Sequence, residues 1–379
     1  MTSYDKLEKR FERLLALREA AGVLHWDAST MMPEGSISAQ ARSEQLAALG
    51  TVCHEILASS EVADLLAEAE GLNELGPWQA ANLREMRHMW VHATAVTADL
   101  VEALTKASMA CETKWRSARS ESNYDGIKPL LAEVLKLVKE VAAAKSSALG
   151  CTPYEALMDE HTPGLRQGLV DPIFSNIETF LPDFLAAVLD KQAAAAPPIL
   201  PQGPFPAAQQ RALGEQLMAQ LGFDFSQGRL DIRLHPFCGG TPDDLRITTR
   251  YDEADFTTGL MGILHETGHA LYEKNLPQDW RRQPVGEARG MDVHESQSLL
   301  IEMQACRSKE FLTYAAPLMK QAFGADGPAW DVDNLYRIYT TVAPGLIRVD
   351  ADEVTYPAHV ILRYNIERAL INEEMTLDD

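Results

Sequence analysis

At 379 residues the chain can bury a large core, and an apolar content of 46% excludes a disordered chain. A formal net charge of -21 repels nucleic-acid phosphates and anionic bilayers, which argues against either as a partner. Five scattered cysteines (Cys53, Cys111, Cys151, Cys238 and Cys306), with no CxxC pair, read as reduced thiols in a cytoplasmic protein.

The N-terminal stretch "MTSYDKLEKRFERLLALREAAG" carries charge throughout and sets Tyr4, Leu7, Phe11 and Leu14 on one helical face. It reads as an amphipathic helix and not as a signal peptide. No apolar run reaches the length of a membrane span. "SSEVADLLAEAE" opens on a serine cap and continues in helix formers. Residues 78–118, 126–149, 170–194 and 206–221 repeat apolar side chains at helical spacing. The uncharged, proline-rich "AAAAPPILPQGPFP" is a loop between helices. From 228 the pattern changes. "GRLDIRLHPF" and "DLRITTRY" alternate like strands, and "CGGTPD" between them reads as a turn, so a small antiparallel hairpin is expected. Helices are expected again at 256–275, 292–319 and 331–342. "APGLIRVDADEVTYP" reads as irregular, and "AHVILRYNIERALINEE" as a final amphipathic helix. The expectation is one mainly helical domain over 1–379, with a helical part to about 200 and a metal-site part beyond it.

The chemistry concentrates in "GILHETGHALY". Residues four apart share a helix face, so His265 and His269 can offer imidazole nitrogens to one metal ion. Glu266 lies beside that face, within reach of a metal-activated water without itself being a ligand. Gly268 leaves room for a neighbouring backbone. A catalytic zinc site takes a third protein ligand. No third histidine follows in the metzincin pattern, and the downstream candidates are Glu287, Asp292, His294, Glu295 and Glu302. "MDVHESQSLLIEMQ" reads as the start of the next helix, whose first turns can face back onto the pair. Adjacent helical positions point about 100° apart, so His294 and Glu295 cannot both ligate well. The residues alone leave that choice open.

Six ordered stretches resemble the thermostable, Taq-type zinc carboxypeptidases. They are "HWDASTMMPEGSISAQARSEQ", "HPF" (235–237), "DLRIT" (244–248, as DxRxT), "HETGH", "HESQS" (294–298) and "IRVDADEVTY" (347–356, as IRxxADExxY). The resemblance implies an almost wholly helical, zincin-like metallopeptidase fold with a deep groove and a small sheet near the active site. It implies His265, His269 and Glu295 as metal ligands and Glu266 as general base. It implies one divalent metal per chain, Zn²⁺ first with Co²⁺ or Mn²⁺ as alternatives, and a homodimer. The implied reaction removes single residues from peptides with a free C-terminus, with broad side-chain tolerance. An arginine suits a terminal carboxylate through its bidentate fork, and the resemblance favours Arg348. Arg246 and Arg250 are further candidates, or else brace the strands against Asp231, Asp243 or Asp244. His235 and Tyr356 can donate to an oxyanion, with His294 a neighbour of the site. "HWD" reads as an aromatic anchor.

The family pattern continues into a GxxQ motif, and none follows "ERALINEE". The expectation is a C-terminally shortened member that keeps its metal ligands and lacks one groove wall. Two other readings follow from that: a catalytically impaired zinc-binding scaffold, and an endopeptidase or dipeptidase with a more open groove.

Overall fold

The computed structural model describes residues 1–33, 36–233 and 236–379. In chain order the helices are α1 (Ser3–Thr30), α2 (Ser36–Ala58), α3 (Ser60–Glu70), α4 (Pro77–Thr94), α5 (Ala98–Ser120), α6 (Tyr124–Leu149), α7 (Pro153–His161), α8 (Gln167–Ala193) and α9 (Ala207–Leu221). Three strands follow, β1 (Gly228–Ile232), β2 (Phe237–Thr241) and β3 (Asp244–Thr249). The chain then returns to helix in α10 (Phe256–Lys274), α11 (Met291–Leu299), α12 (Lys309–Phe323), α13 (Val332–Tyr339) and α14 (Tyr356–Ile371). The mainly helical class expected from the sequence holds.

Local chemistry explains the helix ends. Thr2 and Asp5 form a reciprocal capping box on α1, with Thr2 N–H donating to Asp5 at 2.7 Å. Thr152 and Glu155 do the same for α7, with Pro153 in its first turn. Asp255 caps α10, accepting the Thr257 amide at 2.9 Å. The proline-rich loop follows α8, as the sequence suggests.

The chain divides into two compact units, Met1–Ser59 with Phe184–Thr355, and Ser60–Asp183 with Tyr356–Asp379. The first holds the sheet and the HExxH helix. One apolar cluster in it gathers Phe205, Leu217, Phe256, Leu264, Leu312 and Trp330, with the Phe256 and Trp330 rings stacked at 5.5 Å. A second cluster joins Leu230, Leu245 and Ile247 of the sheet to Met218 of α9 and Ile263 and Ala270 of α10. The site helix is thus held on two sides by buried apolar surface. In the other unit, Tyr154 and Tyr364 pack edge to face at 5.6 Å, and Tyr364 donates to Asp171 at 2.6 Å.

The sheet differs in pairing from the expected hairpin. Its order is β1-β3-β2, with β1 parallel to β3 and β2 antiparallel to it. "CGGT" is part of a strand and not a turn. The reversal falls on Pro242 and Asp243, between the paired Thr241 and Asp244. Gly240 sits at φ +90°, and a Cβ there would meet the Asp244 carbonyl oxygen at 2.0 Å. A glycine-rich strand has no side-chain alternation to read, which is why it looked like a loop.

Trp26, at 2% exposure, is the anchor that "HWD" suggested. The guanidinium groups of Arg246 and Arg229 lie 4.8 and 5.3 Å from its ring centroid.

Candidate active site

Two helices build the site. α10 presents His265, Glu266 and His269, and α11 presents His294 and Glu295. The two helices approach closely at Gly268. A Cβ on that residue would lie 2.6 Å from Ser298 Cα and 2.7 Å from the Gln297 carbonyl oxygen. The glycine therefore lets α11 press its backbone against the HExxH turn.

Among the described residues, His265, His269 and Glu295 bring three ligand atoms within 4.8 Å of one another. Glu295 Oε2 lies 3.3 Å from His269 Nε2 and 3.9 Å from His265 Nε2. A tetrahedral ion with bonds of about 2.0–2.1 Å spaces its ligand atoms by about 3.4 Å. The observed separations bracket that value, so these residues fit a zinc-class ion. The Glu295 carboxyl is held below its ordinary pKa by its hydrogen bond with His269, and the charges of His265, His269 and Arg348 add to this against burial. It is therefore ionised, the form in which a carboxylate can ligate.

Each imidazole is also held from behind. His265 Nδ1 faces Glu302 Oε2 at 2.9 Å, and Glu302 is in turn bonded by Arg307. His269 Nδ1 faces His294 Nδ1 at 2.6 Å, and His294 Nε2 faces Glu273 Oε1 at 2.8 Å. With an ion on both Nε2 atoms the neutral rings would have one consistent proton order, His265 Nδ1–H donating to Glu302, His269 Nδ1–H to His294, and His294 Nε2–H to Glu273. Such partners fix the tautomer and raise the basicity of a ligating imidazole. Burial works against the charge on Glu302, but the hydrogen bond with His265 and the charge of Arg307 outweigh it and lower its pKa. Burial likewise opposes protonation of His265, and the carboxylates of Glu302, Glu266 and Glu295 outweigh it, so its pKa is raised.

Glu266 is 7% exposed. Burial pushes its carboxyl above the ordinary value, and the Glu295 charge pushes the same way. His265, His269 and a hydrogen bond from the Cys238 amide of β2 oppose that rise. A buried carboxylate with a raised pKa beside a metal-ligand triad suits a general base.

The remaining residues expected at the site fall as follows. Arg348 is half-buried, and its charge acts on Glu295. Arg246 pairs with Asp244 at 2.5 Å as well as stacking on Trp26. His294 has both ring nitrogens engaged. Tyr356 is the first residue of α14, in the other unit. His235 lies outside the described residues. Of the five third-ligand candidates, Glu295 alone joins the pair, and Glu302 and His294 stand behind the imidazoles.

Two partners have a signal in the sequence. Glu302 is seven residues from Glu295, two turns along the same segment and so on the same face, and Glu273 is four from His269. Arg307 and the Cys238 amide have none. Glu302 itself sits in a π-helical turn, Leu300–Ala305, that continues α11, a distortion frequent at functional sites.

The sequence profile described as carboxypeptidase Taq (M32) metallopeptidase matches residues 6–379. The chain belongs to the M32 metallopeptidase family. It is a metallocarboxypeptidase by family, and its fold is that of the family's solved members. It is 35% identical to thermostable carboxypeptidase 1 of Thermus thermophilus, over 97% of this chain and 74% of that protein. To carboxypeptidase 1 of Bacillus subtilis it is 30% identical, over 98% of this chain and 74% of that protein. The solved Trypanosoma cruzi metallocarboxypeptidase 1 superposes with a TM-score of 0.94 at 40% identity, covering 98% of this chain and 74% of that one. M32 membership implies a divalent metal and peptide substrates.

Proposed function

We propose that this M32 member is a zinc-dependent carboxypeptidase of broad specificity, with His265, His269 and Glu295 as ligands and Glu266 as general base. One observation carries the reading: two imidazole nitrogens converge on a carboxylate oxygen at 3.3 and 3.9 Å, with buried Glu266 beside them. When bound there, a zinc-class ion supplies Lewis acidity, polarising a carbonyl and lowering the pKa of water.

The chain's own residues supply the rest. Glu266 takes a proton from the attacking water and delivers it to the leaving amine. Its burial keeps it a stronger base than a surface glutamate. Glu302 and the His294–Glu273 pair keep His265 and His269 turned to present Nε2. Arg348 binds the substrate's terminal carboxylate, which places the last peptide bond at the ligands. His235 donates a hydrogen bond to the developing oxyanion. For Arg246 and His294 the geometry supports positioning, since Asp244 with Trp26 and His269 with Glu273 already engage them. The scattered cysteines, free thiols here, fit a cytoplasmic protein, and sedimentation tests the homodimer the family resemblance implies.

Glu266→Gln tests the assignment. It keeps the shape and removes the base, so turnover of an N-blocked dipeptide falls at least a hundredfold while bound metal stays at the wild-type level. Activity above a tenth of wild type would exclude Glu266 as the base.

A further inference from the structure

A second cluster of metal-ligating side chains lies in the other unit. His88 and His92 are four apart on α4, and Asp159 comes from α7. Their ligand atoms also lie within 4.8 Å of one another. Asp159 Oδ2 is 2.6 Å from His88 Nε2 and 3.1 Å from His92 Nε2. The other carboxylate oxygen is committed elsewhere. Oδ1 accepts the Gly164 amide at 3.0 Å and Arg166 Nη1 at 2.7 Å. The carboxylate is thereby oriented with Oδ2 toward the two rings.

We propose that His88, His92 and Asp159 form a second, non-catalytic site for a divalent ion of the zinc class, tying α4 to α7. The donor set is the one seen at the catalytic centre, a helical histidine pair joined by a carboxylate from another helix. Two imidazole nitrogens with one carboxylate suit zinc, cobalt or nickel and not magnesium or calcium, which prefer oxygen. The ring centroids are 4.5 Å apart, against 5.0 Å for His265 and His269. Reaching the tetrahedral spacing of about 3.4 Å asks each Nε2 to withdraw by less than 1 Å.

The site does not hydrolyse: Met89 follows His88, where the catalytic motif has Glu266. Side-chain exposures of 22% at His88, 10% at His92 and 3% at Asp159 leave the His88 side as the approach for an ion.

Zinc stoichiometry of the full chain decides the proposal. Wild-type protein loaded with excess Zn²⁺ and then freed of unbound ion holds two equivalents. A His265→Ala/His269→Ala variant holds one. Adding His88→Gln/His92→Gln to that variant removes it. Glutamine at both positions keeps a donor for Asp159, so the packing is preserved. Placed in the wild-type background, His88→Gln/His92→Gln lowers two equivalents to one and leaves dipeptide hydrolysis intact. That arm does not depend on the folding of the His265→Ala/His269→Ala variant. A single equivalent in wild-type protein would overturn the proposal, as would an extra equivalent that survives His88→Gln/His92→Gln. Failure of the catalytic reading is separate, since it would appear as absent hydrolysis at any stoichiometry.

Discussion

Replacing Gly268 by alanine separates the stability of the site helix from the geometry of the metal ligands. The added methyl would sit 2.6 Å from Ser298 Cα, whereas carbon atoms settle at about 3.5–4.0 Å. α11 must therefore retreat by about 1 Å, and Glu295 travels with it, three residues before Ser298. The 3.3 Å spacing between His269 and Glu295 then opens toward about 4 Å, while metal bonds tolerate about 0.2 Å. Two terms act on folding. Overpacking costs about 1–3 kcal/mol, and the gain in helix propensity from glycine to alanine returns about 1 kcal/mol. The net loss in the metal-free protein is about 0–2 kcal/mol, a fall of a few degrees in Tm at about 2–4 °C per kcal/mol. Nothing compensates the ligand geometry, so metal affinity falls tenfold or more, which is about 1.4 kcal/mol. Chelator competition measures the affinity, and thermal melts of metal-free protein measure the stability. Wild-type metal affinity in Gly268→Ala would refute the close approach and the ligand assignment built on it.

Two further outcomes follow from the neighbours of the site. Glu302→Ala frees His265 Nδ1 and leaves Arg307 without its carboxylate; metal affinity drops by about 10–100-fold, read by the same competition, and an unchanged affinity would remove Glu302 from the site. Asp255→Ala deletes the cap of α10 and costs about 1–2 kcal/mol at neutral pH, measured by denaturant titration. Burial opposes the Asp255 charge, but hydrogen bonds from Thr257 and Thr258 hold its folded pKa below the ordinary value. The stabilisation is therefore complete above the unfolded pKa of about 3.9 and disappears as pH falls through the folded value. The gap between variant and wild type narrows only in that acid range, and a gap that closed above pH 5 would contradict the assignment.

Much of the site was legible because helical periodicity maps spacing onto faces. His265, His269 and Glu266 follow from one turn of helix, and Gly268 from the need for room beside it. The choice between Glu295 and His294 was not legible from adjacency, since the approach angle of α11 is set by packing at Gly268. Glu302 was visible as a carboxylate but not as a partner of Nδ1, because the sequence does not say which nitrogen faces inward. β2 was missed for a different reason. Its two glycines remove the alternation that marks a strand, and with it went the Cys238 amide that bonds Glu266. Arg246 shows the opposite case. A lone arginine in a motif is compatible with a substrate anion, yet an aspartate two residues away and Trp26 from α1 already occupy it.

The central claim is that the ion at His265, His269 and Glu295 cleaves the last peptide bond of a free C-terminus. The direct measurement is residue release from an N-blocked dipeptide and from its C-terminal amide, with metal-stripped and Zn²⁺- or Co²⁺-restored protein. The account predicts release from the free acid alone, lost on stripping and regained on restoration. Equal cleavage of the amide, or hydrolysis that persists in stripped protein, would contradict it.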